Sequence, residues 1–485
     1  MRPERVGGHR LEPMRRAKIV STLGPAVATP EAIRQLVDAG MDVARINRSH
    51  GSQEEHAQQI QWVRDASEAS GRAVAVLVDL QGPKIRTTRF SAGPVNLAVG
   101  DRFTITINEV DGNKERVGTT FKGLPGDVRP GDSLLIDDGK IALRALEVTD
   151  TDVITEVVEG GVVSNNKGIN LPGVAVSVPA LSEKDEEDLR WGLREGADFI
   201  ALSFVRDARD IERCHEIMDE EGIRRPVVAK IEKPQAVANL YEIVRAFDGI
   251  MVARGDLGVE MPLEEVPLVQ KRAIELARSQ AKPVIVATQV LESMIENSRP
   301  TRAEASDCAN AVLDGADAIM LSGETSVGAW PIIAVQTMAR IIENTEDHGL
   351  ARIRGLTTQP STTGGAVTRA AAQIGEALHA KFLVVFTTSG DSARRMSRVR
   401  PSLPMLAFSQ DPQTRRRLAL TWGIQTFDVP DVKDVRDLVS GTDEVLQSYG
   451  GCTEGDVVVI VAGTSAGVSG TTNMLQVHRV GVMGT

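Results

Sequence analysis

The sequence predicts an α/β protein, built as a (β/α)8 TIM barrel with an inserted small β-barrel lid domain and a C-terminal α/β domain. Short β-branched segments alternate with helical patterns until eight strands have been counted, which is the number that a barrel requires. The helical period disappears once, between about residues 84 and 179, where Asp-Gly and Gly-Asp turns separate strand patterns. Another α/β unit follows from about residue 353. A doubly wound open sheet is the alternative for the first unit.

The predicted elements define the domain boundaries. Residues 1–14 are expected to form a disordered tail, 15–83 and 180–350 the barrel, 84–179 the β insert and 351–485 the C-terminal α/β domain. The barrel strands are predicted at residues 17–22, 42–47, 73–80, 199–204, 227–232, 249–254, 284–288 and 318–322. The first two are followed by helices at 30–39 and 53–70, and another helix opens at Ser182. Thr29 before Pro30 is a good N-cap with proline at the first helical position. The strands of the C-terminal domain are predicted at 382–388, 405–408, 424–427, 456–462 and 475–480.

Composition and charge favour a cytoplasmic protein that binds small ligands. The net charge of −11 argues against a general role at nucleic acids or membrane surfaces. Cys214, Cys308 and Cys452 lie far apart and form no C-x-x-C pair, so neither a disulfide framework nor a zinc site is predicted. No apolar segment approaches the ~20 residues that span a bilayer, and the first residues lack the apolar core of a signal peptide.

Residues 227–258 carry the densest group of reactive side chains, in a strand–helix–strand pattern. Lys230 and Glu232 close the first strand and share a face, because they are two residues apart. Arg254, Gly255 and Asp256 close the second strand. A single such residue is commonly a solvated surface charge. Charges at the same ends of two neighbouring strands instead predict a catalytic site.

The other predicted strand ends add to this site, because catalytic residues of a barrel gather at the carboxyl ends of its strands. These ends carry Arg45, Asn47, Asp79, Ser203, Thr288, Ser322 and Glu324, with Ser49 and His50 just after the second strand. Glu232 and Asp256 offer two carboxylates to a divalent cation, and Mg²⁺ commonly completes such a site with water and substrate oxygens. Lys230, Arg45 and Arg86 would surround an anionic substrate. The set predicts phosphoryl transfer or enolate stabilisation.

Several segments closely resemble pyruvate kinase. They are RINRSHGS (45–52), DLQGPKIR (79–86), NKGINLPG (166–173), KIEK (230–233), MVARGDLGVEMP (251–262) and ATQVLESMIENSRPTRAEASDCANAVLDGADAIMLSGET (287–325). The resemblance covers essentially residues 15–485. It implies a barrel, a β lid inserted after the third strand and a C-terminal regulatory domain, which agrees with the organisation predicted above.

The resemblance implies the last step of glycolysis, in which phosphoenolpyruvate and ADP give pyruvate and ATP. By position in these motifs, Glu232 and Asp256 would hold Mg²⁺ or Mn²⁺, and Lys230 would stabilise the phosphoryl group during transfer. Arg45 would bind phosphate. Backbone amides at Gly255 and Asp256, together with Thr288, would bind the substrate carboxylate.

The resemblance also assigns a proton route, a nucleotide site and an assembly. Thr288 would help to protonate the enolate through a water chain with Ser322 and Glu324. The residues implied at the nucleotide are Asn47, His50, Arg86 and Lys167. A solvated surface residue is the alternative for His50 and Lys167, and Ser322 can also simply end its strand. A homotetramer is a further implication.

The chain departs from many members of this family at Lys84. Members that need K⁺ carry threonine and lysine directly after the aspartate of the third strand, and glutamate where this chain has Lys84. An ammonium group on a flexible stem can take the place of a monovalent cation. We therefore expect Lys84 to supply that charge and the enzyme to work without K⁺. A surface lysine at the lid hinge is the alternative, and Asn47, Ser49 and Asp79 still allow a weak monovalent site.

The C-terminal domain contains a Ser/Thr-rich turn before a helix, a pattern that can bind phosphate. Its predicted effector residues are Thr387, Thr388, Ser389, Gly390 and Ser392, with Arg394 and Arg395 nearby. The loop GTSAGVSGTTN (463–473) is the predicted second half of the site. In relatives this site takes a phosphorylated activator. Because residues 466–468 lack the basic side chain that is common in relatives using fructose bisphosphate, AMP or a sugar monophosphate is favoured.

Two other interpretations stay open from the sequence. One is a different Mg²⁺-enolate barrel, such as a phosphoenolpyruvate-utilising lyase or aldolase, against which the lid and the nucleotide-side residues argue. The other is a non-catalytic effector-binding protein on this fold, against which the joint presence of Lys230, Glu232, Asp256 and Thr288 argues.

Overall fold

The computed structural model describes residues 15–174, 176–429, 435–448, 451–463 and 470–482, so the predicted tail at 1–14 lies outside the described residues. The chain begins with three barrel strands and two helices: β1 (Lys18–Thr22), α1 (Pro30–Ala39), β2 (Val43–Asn47), α2 (Gln53–Ser70) and β3 (Ala75–Asp79). A 3-10 turn, Pro25–Val27, follows β1. The Thr29 side chain caps α1, and Ser52 and Glu55 form a capping box at α2.

The insert after β3 is predominantly β. Its elements are β4 (Val95–Leu97), β5 (Arg102–Thr106), β6 (Arg116–Gly118), α3 (Leu124–Asp127), β7 (Ser133–Ile136), β8 (Ile141–Val148), β9 (Asp152–Glu159), β10 (Gly161–Val163) and β11 (Ile169–Asn170). They form a six-stranded sheet in the order β11-β7-β8-β9-β5-β6 and a two-stranded sheet of β10 and β4. The insert has its own apolar core, which includes Phe103, Leu134 and Val153.

The remaining barrel elements follow the insert. They are α4 (Glu183–Arg194), β12 (Phe199–Leu202), α5 (Glu212–Glu221), β13 (Val227–Ile231), α6 (Pro234–Ala238), α7 (Leu240–Ala246), β14 (Gly249–Ala253), α8 (Arg254–Glu260), α9 (Val266–Ser279), β15 (Val284–Ala287), α10 (Arg302–Asp314), β16 (Ala318–Leu321), α11 (Gly323–Ser326) and α12 (Pro331–Gly349). Short 3-10 turns lie at Ala208–Ile211, Leu263–Glu265, Glu292–Ile295 and Leu350–Arg352.

Eight strands close into the predicted barrel, in the order β1-β16-β15-β14-β13-β12-β3-β2. All neighbouring pairs are parallel, so the carboxyl ends of the strands meet at one mouth. Alternate strand residues form two cores, as the period of two requires. Val20, Leu77 and Met251 pack together in one core, whereas neighbouring residues such as Ile19 and Val252 belong to the other.

The C-terminal domain is also an α/β unit, as predicted. Its elements are α13 (Thr363–Ala377), β17 (Phe382–Phe386), α14 (Asp391–Ser397), β18 (Met405–Phe408), α15 (Pro412–Leu418), β19 (Ile424–Phe427), α16 (Val435–Ser448), β20 (Val457–Gly463) and β21 (Thr472–Arg479). The sheet order is β19-β18-β17-β20-β21, with β21 antiparallel to β20. Leu420 joins the core that contains Val20 and Met251, and Arg416 Nε lies 2.9 Å from Asp198 Oδ1, so this domain packs directly on the barrel.

The predicted strands and helices are found, and the strand ends agree to within three residues. Several predicted terminal residues lie just beyond the hydrogen-bonded ladder, because the chain has already turned. Phe204 and Thr288 have φ values of 56° and 66°, which are incompatible with a strand. At the lid hinge, Gly82 also has a positive φ, of 75°, and a Cβ there would lie 2.5 Å from the Phe204 ring. This turn therefore requires glycine.

Candidate active site

The mouth of the barrel and the lid enclose a cavity of about 320 Å³. It is lined by Lys84, Asp138, Gly255, Asp256, Val259, Thr288, Gln289, Glu292, Ile295, Ser322, Gly323 and Glu324. Asp138 belongs to the turn between β7 and β8 of the insert, and Lys84 lies between β3 and the insert. The insert thus reaches over the carboxyl ends of the strands, where the sequence predicts the chemistry.

Lys230 lies in a buried network beside this cavity. Its Nζ is 2.9 Å from Glu232 Oε1 and 3.4 Å from Asp79 Oδ1, and it donates to Ser203 Oγ at 2.8 Å. The two-residue spacing did place Lys230 and Glu232 on one face. Burial alone would lower the pKa of Lys230, but the carboxylates of Asp79 and Glu232 outweigh burial and raise it. Lys230 is therefore a fixed ammonium group at neutral pH.

Arg45 is held next to the same network. Its Nε donates to Asp79 Oδ2 at 2.7 Å, and its NH1 donates to Thr22 Oγ1 at 2.9 Å. Burial opposes ionisation of Asp79, but Lys230 and Arg45 lower its pKa below the usual value. Asp79 therefore serves as the shared counter-ion of the two cations.

The two carboxylates predicted to hold a divalent cation lie at the ends of adjacent strands. Glu232 follows β13 and is 1% exposed, and its Oε2 accepts a hydrogen bond from Phe204 N at 2.8 Å. Burial and the nearby Asp256 carboxylate raise the pKa of Glu232, so a cation between these carboxylates would relieve their repulsion. Among the described residues no group of three or more His, Cys, Asp or Glu residues could hold a metal. Two carboxylate donors fit Mg²⁺, which takes its other oxygen ligands from water and substrate.

Thr288 adopts a backbone conformation that is rare for a β-branched residue, with φ at 66°, and Gln289 follows at 54°. The Thr288 Oγ1 accepts a hydrogen bond from Gly255 N and donates one to Ala287 O, each at 2.7 Å. Arg254 NH2 donates to Thr288 O at 2.9 Å and so holds this turn. Strain of this kind costs about 1–3 kcal/mol and is typical of functional sites. The predicted Gly255 amide is thus occupied by Thr288 in this structure.

The predicted proton-relay residues Ser322 and Glu324 also line the cavity. Glu324 is 2% exposed and accepts from Ser322 N at 2.7 Å and Leu291 N at 3.2 Å. Burial raises the pKa of Glu324, although these backbone hydrogen bonds oppose the shift. Ser322 Oγ is buried and has no hydrogen-bond partner within the described part of the chain. A buried hydroxyl without a partner fits a group that bonds to a substrate or a water.

Comparisons with known proteins agree with this arrangement. Residues 14–335 match the pyruvate kinase barrel domain, and residues 365–478 match the pyruvate kinase alpha/beta domain. The chain belongs to the pyruvate kinase family. It is 58% identical to a pyruvate kinase of Corynebacterium efficiens, over 96% of this chain and 98% of that protein. Identity to a pyruvate kinase of Mycobacterium tuberculosis is 56%, over 96% and 99%.

The fold of the family is also found in a solved structure. A crystal structure of a pyruvate kinase from Cryptosporidium parvum superposes with a TM-score of 0.90 at 34% identity, covering 96% of each chain. Membership makes this enzyme a phosphotransferase. In general the family requires a divalent metal.

The four residues predicted to bind the nucleotide lie in two places, the end of β2 and the lid. Ser49 N donates to Asn47 Oδ1 at 3.2 Å, and the exposed His50 follows in the same turn. Arg86 NH1 donates to Asn166 O at 3.0 Å, and Lys167 Nζ to Asp137 Oδ1 at 2.9 Å. The structure therefore engages Arg86 and Lys167 within the lid, while Asn47 and His50 lie at the end of β2.

Lys84 contacts both parts of the enzyme. It lines the cavity together with Asp256 and Thr288, and a Cβ at Gly168 of the lid would lie 3.1 Å from its Cε. Within the described ranges Lys84 forms no salt bridge, which leaves its charge available to a ligand.

The predicted effector turn is held by hydroxyl groups of its own residues and of Thr414 and Thr472. Gly390 N donates to Thr387 Oγ1 at 2.9 Å, Thr414 Oγ1 donates to Thr388 O at 2.8 Å, and Ser392 Oγ contacts Thr472 Oγ1. The second predicted loop lies largely outside the described residues, because 464–469 are not among them.

Two residues of the site were not assigned a role from the sequence. Ser203 fixes Lys230 by accepting its hydrogen bond and donating to Leu80 O at 2.7 Å. Its position at the end of a predicted strand was the available signal. Asp138 lies in an Asp-Asp-Gly turn and has φ at 56°. That motif predicts a turn but gives no indication that the turn lies over the barrel.

Proposed function

We propose that this enzyme transfers the phosphoryl group of phosphoenolpyruvate to ADP, giving pyruvate and ATP. The observation that supports the proposal most is the position of Lys230. Its ammonium group is fixed between Asp79 and Glu232, beside a cavity that Asp256 and Thr288 line. Coupled measurement of ADP-dependent pyruvate formation tests the proposal, and absence of the reaction in the purified enzyme would overturn it.

The chain's own residues supply most of the required positive charge. Lys230, kept protonated by its two carboxylate neighbours, donates hydrogen bonds to the phosphoryl oxygens as the group leaves phosphoenolpyruvate. Arg45 binds the phosphate from β2. The amides of Gly255 and Asp256 bind the substrate carboxylate at the start of α8, where Thr288 has to exchange its hydrogen bond from Gly255.

Glu232 and Asp256 would hold the Mg²⁺ or Mn²⁺ ion. When bound, the cation supplies positive charge that stabilises the anionic oxygens of the substrate. Lys230 forms a salt bridge with Glu232 at 2.9 Å in this structure, so it has to share that carboxylate with the incoming cation.

Protonation of the enolate completes pyruvate. We assign this step to the Thr288 hydroxyl, supplied through water by Ser322 and Glu324. The raised pKa of Glu324 and the buried, unpartnered Ser322 Oγ among the described residues support the assignment. On the other side of the mouth, Asn47, His50, Arg86 and Lys167 would bind the nucleotide, the last two from the lid.

The enzyme should work without K⁺, because Lys84 takes the place of the monovalent cation. Two contacts support this proposal. The Asp79 carboxylate is already paired with Arg45 and Lys230, and Asn47 Oδ1 already accepts from Ser49 N. Asp79 and Asn47 thus already have partners, although Asp79 Oδ1 forms no hydrogen bond within the described residues. Lys84 has no ion-pair partner there, so its ammonium group is available to supply the monovalent charge.

Steady-state rates in K⁺-free tetramethylammonium buffer test the role of Lys84. Wild-type activity is expected to stay within about threefold of the rate in KCl, because a fixed ammonium group replaces the ion. Lys84→Glu should lose activity in the K⁺-free buffer and regain part of it with KCl. Near-total loss of wild-type activity without K⁺ would contradict the proposal.

Allosteric activation by a phosphorylated metabolite is proposed for the turn at Thr387, Thr388, Ser389, Gly390 and Ser392. Gly390 has a positive φ of 81° and opens α14, which allows backbone amides to face a phosphate. AMP or a sugar monophosphate is the favoured activator, since residues 466–468 carry no basic side chain.

Phosphoenolpyruvate saturation curves with AMP, a sugar monophosphate or fructose 1,6-bisphosphate test the effector proposal. A monophosphate should lower the half-saturating phosphoenolpyruvate concentration about 5- to 50-fold, a usual range for allosteric coupling. Thr388→Glu should abolish that shift by placing a negative charge in the exposed turn, whereas Thr357→Glu, also on an exposed loop, should leave it unchanged. A response to the bisphosphate alone would count against the assignment.

We also propose that the enzyme assembles as a homotetramer and acts in the cytoplasm. Leu263 and Leu268 expose 71% and 69% of their surface close to α8, which supports burial in a subunit contact. Sedimentation equilibrium measures the number of subunits in the assembly directly.

Within the described residues, no helix has the length and apolar character needed to cross a membrane.

A further inference from the structure

Glu260 joins the lid to the barrel next to the proposed metal site. It lies at the end of α8, is 5% exposed, and its Oε1 accepts from Asn170 Nδ2 of the lid at 2.9 Å. The same oxygen accepts from Lys233 Nζ at 2.6 Å. A single carboxylate oxygen therefore binds one donor from the lid strand β11 and another from the segment after β13.

A buried charge is costly unless it is paired and hydrogen-bonded. Here the pairing is non-local, because Asn170 and Lys233 belong to different domains. An ordinary ion pair at a helix end would explain Lys233 but not the lid residue. The side chains of Glu260 and Lys233 are 2% and 15% exposed, so water does not compete effectively for this contact.

Both proposed metal ligands are connected to Glu260. The seven-residue helix α8 carries Asp256 near its start and Glu260 at its end, so that a movement of one moves the other. Lys233 Nζ also lies 5.3 Å from the centre of the Phe204 ring. Phe204 N in turn donates to Glu232 Oε2 at 2.8 Å.

We propose that Glu260 is a positioning residue that couples docking of the lid, through Asn170, to the placement of Asp256 and Glu232. When the lid docks, Asn170 completes the hydrogen bonding of a carboxylate that fixes α8 and the Phe204 turn. The lid then brings the nucleotide-side residues over the mouth at the moment when the metal-binding residues are in place. This inference rests on the proposed function and adds a device that regulates it.

The coupling can be tested by exchanging the donor and the acceptor of the hydrogen bond between Asn170 and Glu260. Asn170→Asp places a second carboxylate against Glu260 and should raise the KM for ADP about tenfold through repulsion. In the double variant Asn170→Asp with Glu260→Gln, the glutamine amide at 260 can donate to the aspartate carboxylate at 170. The KM for ADP should then return to within about threefold of wild type. A double-mutant cycle measures this recovery as a coupling between the two positions. Asn96→Asp, at an exposed lid position, is the matched control and should behave as wild type.

Two readouts separate positioning from simple loss of structure. Asn170→Asp should also raise the Mg²⁺ concentration that half-saturates exchange of the pyruvate methyl protons with D₂O, because the same contact is proposed to place Asp256 and Glu232, and the double variant should restore it. Amide hydrogen exchange of residues 168–174 should accelerate in Asn170→Asp and recover in the double variant. An unchanged Mg²⁺ requirement in Asn170→Asp, or no recovery in the double variant, would overturn the coupling. An inactive wild type would instead refute the proposed function.

Discussion

Lys230→Met is expected to lower kcat for pyruvate formation by about 10³-fold or more, the range seen when a transition-state cation is removed from a phosphoryl-transfer site. The side chain of Lys230 is 12% exposed, and its ammonium group faces Asp79, Glu232 and Ser203. Methionine keeps the approximate shape of the stem but provides no donor. A lactate-dehydrogenase-coupled assay with ADP and phosphoenolpyruvate measures the effect.

Loss of fold is a separate effect of this substitution and has to be measured as well. Removing one partner from a buried ionic network costs about 3–5 kcal/mol, so thermal unfolding of the variant should be followed by circular dichroism. Lys230→Arg keeps the positive charge of the network, but its planar guanidinium cannot reproduce the geometry of an ammonium group. We expect it to fold and still to lose about 10²-fold in kcat. Lys114→Met, on a lysine whose side chain is 68% exposed in the lid, is the control. A wild-type rate in Lys230→Met would refute the mechanism.

Glu232→Gln should raise the Mg²⁺ concentration needed for half-maximal activity by about 100-fold or more, because one of two anionic ligands is lost. The amide oxygen of glutamine can still accept from Phe204 N, so the local turn should be retained. Mn²⁺ binding to metal-free protein, followed by electron paramagnetic resonance, gives the affinity independently of turnover.

The control for this second substitution is Glu195→Gln, on the exposed C-cap of α4. It should leave both metal affinity and rate unchanged. If Glu232→Gln bound Mn²⁺ as tightly as wild type, the metal would have to be held elsewhere. Asp256→Asn should show the same loss of affinity if the two carboxylates share one ion.

The local rules that predicted the barrel act within a few residues of the chain. Period-two alternation and the cap at Thr29 are properties of short segments, and the structure confirms them. The same local period placed Lys230 beside Glu232, and Lys230 Nζ lies 2.9 Å from Glu232 Oε1. The strand ends were less accurate, because residues such as Thr288 carry strand-forming side chains but adopt a left-handed turn. Arg254 holds this turn from the start of α8.

The role of Asp79 shows what local patterns omit. The sequence assigned this residue to a monovalent-cation site, and its position at the end of a strand was correct. Its pairing with both Arg45 and Lys230 depends on closure of the barrel, which brings β2, β3 and β13 to the same mouth.

The sequence by itself determined the eight-stranded order, the lid insertion, the family and the set of charged residues at the strand ends. Periodicity, capping and motifs are encoded in neighbouring residues, so they can be recognised without a structure. Only the tertiary structure decided which charges neutralise one another, that Asp138 reaches the mouth, and that Asn170 shares the Glu260 carboxylate with Lys233. Each of these contacts joins residues distant in sequence, and it exists because barrel closure and lid docking bring them together out of water.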